Sequence, residues 1–74
     1  MIETYRIESL APDAEGGALV HRIFVRAGTV EAAKERALRV FSRARVPQHR
    51  GPEVETVRVL NGAGYEVFSI SARD

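Results

Sequence analysis

One stretch of this chain has the spacing of a helix, and it sits between two pairs of strand-like runs. From Thr29 to Arg45 the residues Val30, Ala33, Ala37, Val40, Phe41 and Ala44 fall within an arc of roughly 100° when plotted at about 100° per residue. The stretch contains no Gly or Pro, and it is rich in Ala and straight-chain residues, which lose little freedom in a helix. Gly28 closes the preceding run, and the Thr29 hydroxyl is suited to accept a bond from a free N–H of the first turn. Glu31 in that turn favours the positive end of the helix dipole. At the other end Val46 precedes Pro47, which disfavours helical backbone, so residues 46–52 are expected to form an exposed connector. A single helix with one apolar stripe must lay it against a sheet.

The remaining segments supply that sheet. In residues 2–10, Tyr5 and Ile7 alternate with Arg6 and Glu8, the period-2 pattern of a half-buried strand. Residues 18–27 alternate too, with Leu19, His21, Ile23 and Val25 on one side and Val20, Arg22, Phe24 and Arg26 on the other. The long loop Ala11 to Gly17 joins these two runs into a hairpin. Residues 53–60 and 65–72 make a second hairpin across Asn61-Gly62-Ala63-Gly64, a turn rich in residues that tolerate positive φ. The expected fold class is α+β, in the order ββαββ: a four-stranded, mainly antiparallel sheet with one helix packed on one face. Residues 1–74 form one domain in this reading, with the helix over about 29–45.

Length sets a physical limit on that fold. A chain of 74 residues buries only about 60% of the surface its unfolded form exposes, and with no cysteine it has neither disulfides nor thiolate-bound zinc to add stability. The 45% hydrophobic and 28% charged content suits a folded, water-soluble chain, and no run approaches the roughly 20 apolar residues of a membrane span. A cytoplasmic protein with no membrane partner is the simplest expectation. A helix about 10 Å across is also narrower than a four-stranded sheet at about 4.8 Å per strand. It leaves part of its own side uncovered and all of the other.

What covers the open surface is the functional question. On strict alternation Val20 and Phe24 oppose Ile23 and Val25, and Tyr65 and Val67 oppose Phe68 and Ile70, so the uncovered face reads as partly apolar. The preferred reading is a small non-enzymatic interaction module that binds another protein or itself as a homodimer. Its contact is the uncovered face, through Val20, Phe24, Tyr65 and Val67, or an edge strand.

Charge supports an alternative. Residues 34–50 hold six Lys/Arg against the single acid Glu35, a local charge of +5 between flanks of −2 each, which sum to the chain's +1. Arg36, Arg39 and Arg43, at i, i+3 and i+7, line up on the helix, and Arg45, His49 and Arg50 carry the charge into the connector. These six residues could meet the phosphates of a nucleic acid. An ordinary solvated face with pairs such as Glu31–Lys34 and Glu35–Arg39 is the plainer account. A small-molecule binder, with its pocket between helix and sheet or at a dimer seam, is the third reading.

No motif points to a reaction. Gly62-Ala63-Gly64 lies between two strands and lacks the third glycine of a dinucleotide fingerprint, and no serine sits in a nucleophile-elbow sequence. Neither His21 nor His49 has a second ligand at a recognised metal spacing. Glu53, Glu55 and Glu66 are expected to meet Arg58 or water across the second hairpin. The reading calls for no catalytic residue, no cofactor and no metal.

Overall fold

The computed structural model describes residues 2–12, 17–48 and 50–72. It contains β1 (Glu3–Leu10), β2 (Leu19–Ala27), α1 (Val30–Ala44), β3 (Thr56–Leu60) and β4 (Glu66–Ser71), the α+β order ββαββ. The strands form one sheet in the order β2-β1-β3-β4, and every neighbouring pair is antiparallel. β1 is therefore flanked on both sides, and α1 carries the chain across it from β2 to β3. β2 and β4 are the open edges.

The local signals that start and stop α1 act as expected. Thr29 is the N-cap, its Oγ1 accepting from the Ala32 N–H at 3.1 Å, and the helix ends at Arg45, just before the Val46-Pro47 dipeptide. Asn61 organises the β3–β4 turn in the same local way. Its Oδ1 accepts from the N–H groups of Ala63 and Tyr65, each at 3.0 Å, while Gly64 takes a φ of +89° that a side chain would strain.

The core lies between α1 and one sheet face. Ala33 and Ala37 press the helix closely onto Tyr5, Ile7, Val57 and Val59, all buried, with Ile23, Val25, Phe68 and Ile70 around them. Small residues on the helix allow this approach, and the bulk of the core comes from the strands. Val30, read as part of the helix stripe, is 38% exposed at the first helical position.

β3 starts at Thr56, three residues later than its pattern suggested. Glu55 still pairs on both sides, its N–H donating to Leu10 O and its carbonyl accepting from Ala72 N–H, each at 2.8 Å. Val54, just before it, is buried beneath the end of α1, where Arg45 Nη1 donates to its carbonyl at 3.5 Å.

Two bulges alter which side chains share a face. Ser9 pairs with His21 and Leu10 with Leu19, so Val20 is an extra residue on β2. Val59 pairs with Phe68 and Leu60 with Glu66, so Val67 is the extra residue on β4. An extra residue breaks strict alternation. Val20 and Val67, assigned by alternation to the uncovered face, both pack against the helix-side core.

Candidate functional site

The narrow helix leaves a strip of its own sheet side uncovered along the β2 edge, and this strip is a cleft of about 490 Å³. Four separate segments build it: Ser9 of β1, Val20, His21 and Ile23 of β2, one side of α1, and Arg50, Gly51, Pro52 and Val54 of the stretch that leads to β3. Val20, Ile23, Val40 and Val54 supply apolar lining, and Arg36, Arg43 and Arg50 line it with His21. No Asp or Glu is among the described residues that line it. The Val20 bulge matters here, because it places two successive β2 residues, Val20 and His21, on the cleft side.

Helix geometry sorts the arginines. Arg36 and Arg43 are seven residues apart and so only about 20° apart around the axis, whereas Arg39 lies about 60° beyond Arg36. Arg36 and Arg43 accordingly line the cleft with Val40 and Ala44, and Arg39 does not. Arg45 is used inside the fold, with its guanidinium 5.6 Å from the Phe41 ring centroid and its bond to the Val54 carbonyl. Lys34 is similarly placed over Phe68, 5.0 Å from the ring centroid. His49 lies outside the described residues.

Among the described residues none of the helix cations has a carboxylate within salt-bridge distance, so the pairs Glu31–Lys34 and Glu35–Arg39 are not formed. The described ion pairs all converge instead on Glu8, at the centre of the opposite sheet face. Glu8 is 3% exposed; its Oε1 accepts from Arg58 at 2.9 Å and its Oε2 from Arg22 at 3.0 Å. Arg6 Nη1 stands 3.9 Å from the same Oε2. Burial by itself pushes the Glu8 carboxyl up, but the hydrogen bonds and charges of Arg58 and Arg22 outweigh it and hold the group below the ordinary carboxylate range.

This ionic row changes the character of the uncovered face. Its centre is Arg22–Glu8–Arg58 across three strands, in register, on a face that alternation alone reads as partly apolar. Arg58 faces Ser69 on β4 and bonds to β1, and no bond joins it to Glu53, Glu55 or Glu66 among the described contacts. Of the four apolar residues assigned to self-association, only Phe24 stands in the regular ladder of that face. It is 65% exposed on β2, at one edge, while Tyr65, 71% exposed, belongs to the β3–β4 turn on the other side.

The sequence names all three cleft arginines, Arg36, Arg43 and Arg50, but not their convergence with His21. Two signals were present: the seven-residue spacing of Arg36 and Arg43, and the mismatch between one helix and four strands. The Glu8 cluster was missed because its partners become neighbours only through strand order and register.

Among the described residues no group of three or more His, Asp or Glu side chains is placed to hold a metal ion, and no helix is long and apolar enough to cross a membrane. Compared with known proteins, the chain matches no family model, no curated protein and no solved structure.

Proposed function

We propose that this chain is a non-enzymatic nucleic-acid accessory module that takes the phosphates of its ligand in the cationic cleft. The observation that carries the reading is the convergence of Arg36, Arg43 and Arg50, from a helix and a connector, on one concave surface lined by no described acid. Guanidinium groups present planar forks of donors that match phosphate oxygens, and a cleft lined by one sign of charge concentrates anions near it. The chain's overall charge of +1 adds little long-range attraction, so binding rests on this local cluster.

The experiment is a backbone-amide titration at low salt with inorganic phosphate, a short single strand and a duplex. Perturbation centred on residues 20–23, 36–44 and 50–54, weakening steeply as salt is added, supports the proposal. Shifts by inorganic phosphate alone would limit the ligand to a small anion. Absence of perturbation by all three rejects phosphate binding altogether.

Self-association is a second reading, supported by the open edge of β2, a nine-residue strand with one sheet neighbour. Arg22 and Arg26 weigh against a two-fold pairing of that edge, because each copy brings its arginines towards those of the other. Light scattering over a dilution series separates the cases, since a constant single-chain mass excludes the dimer.

A further inference from the structure

The cleft is on one side of β2, and the other side of the same edge strand carries Arg22, Phe24 and Arg26. We infer that the ligand is single-stranded, and that it crosses the β2 edge from the cleft to stack one base on the Phe24 ring. This rests on the phosphate-binding reading of the cleft and names the form of nucleic acid.

Three observations converge on it. Phe24 is 65% exposed on the uncovered face of the sheet, so its ring is open to a ligand. Residues two apart on a strand are about 7 Å apart, which puts a guanidinium-bearing residue on each side of the ring along the strand. Arg22 is fixed, since its Nε donates to the buried Glu8 carboxylate, whereas Arg26 has no carboxylate within salt-bridge distance among the described residues. Glu8 is thus a positioning residue for Arg22. On the β2–β1 half of this face Arg6, Arg22 and Arg26 stand against Glu8 alone, so the half is net positive around the aromatic.

That chemistry selects among occupants. A second copy of the chain brings the same arginines to the same place and is repelled. Bases inside a duplex are already stacked and offer Phe24 no free face, whereas an unpaired base can stack on the ring while its flanking phosphates meet Arg22 and Arg26. An acidic peptide satisfies the arginines and leaves the ring without a stacking partner.

Fluorescence anisotropy of the whole chain tests the inference, with a labelled single strand of about twelve nucleotides, a duplex of equal length and an oligoglutamate competitor of similar charge. The expected result is tighter binding of the single strand than of the duplex. Phe24→Ala should weaken single-strand binding by at least about fivefold, leave duplex binding unchanged, and be rescued by Phe24→Trp. Thermal melts of both variants confirm that they fold, as expected for substitutions at an exposed position.

Single-strand affinity unchanged in Phe24→Ala, equal affinity for both nucleic acids, or displacement by oligoglutamate at matching charge concentration each overturns it. If Phe24→Ala has no effect while Arg36→Ala with Arg43→Ala weakens binding, the stacking inference falls and the cleft reading stands. If the unmodified chain binds neither nucleic acid, both fall.

Discussion

Arg58 reaches from β3 to a single oxygen of Glu8 on β1, with Nε at 2.9 Å and Nη2 at 2.7 Å, while Arg22 on β2 takes the other oxygen at 3.0 Å. A buried carboxylate therefore ties three strands together from the face that the helix does not cover. The arrangement is asymmetric, because the acid is 3% exposed and the Arg58 and Arg22 side chains are 39% and 42% exposed. Removing Arg58 leaves Oε1 of a buried carboxylate without its partner, whereas removing the acid leaves arginines that water can reach. Arg58→Met, which keeps an apolar stem, is expected to cost about 2–3 kcal/mol, and Glu8→Gln less, about 1–2 kcal/mol. Urea denaturation of the two variants checks the order.

Acid should weaken the fold through the same group. With its carboxyl held low in the folded state, Glu8 contributes stability in full above its unfolded value of about 4.3 and loses it as pH falls through the folded value. The gap in urea midpoint between the unmodified chain and Glu8→Gln is expected to hold from pH 6 to about pH 5 and to narrow from there to about pH 3. A gap independent of pH contradicts this role for the carboxylate.

Local backbone chemistry gives simpler predictions. Thr29→Ala removes the acceptor for the Ala32 N–H and should cost about 1 kcal/mol, with Thr29→Ser retaining most of the stability. Thermal unfolding is sufficient to measure both.

Gly64→Ala forces a side chain onto a backbone at φ +89° and is expected to cost about 1 kcal/mol or more. Gly62→Ala meets a different obstacle. Its new Cβ would lie 3.1 Å from Glu3 Oε2, which accepts the Gly62 N–H at 2.7 Å, so the carboxylate must shift. Comparing the melting temperatures of the two variants separates backbone strain from a side-chain clash.

What could be read from the sequence was what is decided within a few residues. The helix, the Thr29 cap and the Asn61–Gly64 turn follow from spacing and from residues that bond to their own backbone. The placement of Val20 and Val67 failed for one shared reason: each is the extra residue of a bulge, which depends on the partner strand and leaves period-2 alternation looking intact. Glu8 illustrates a second limit. Its partners Arg22 and Arg58 are 14 and 50 residues away, and only the order β2-β1-β3 brings them together. All three cleft arginines are visible within the basic run, while the separation of Arg36 and Arg43 from Arg39 on the helix required knowing where the helix lies on the sheet.

The central claim is that the cleft arginines hold phosphates, and the salt dependence of oligonucleotide binding tests it most directly. Each phosphate contact to a single strand contributes about 0.7 unit to the slope of log affinity against log salt. Replacing Arg36 and Arg43 together by Ala is expected to reduce that slope by about 1.4 and to weaken binding at low salt, with the fold intact by thermal melting. A slope and affinity unchanged from those of the unmodified chain would contradict the account.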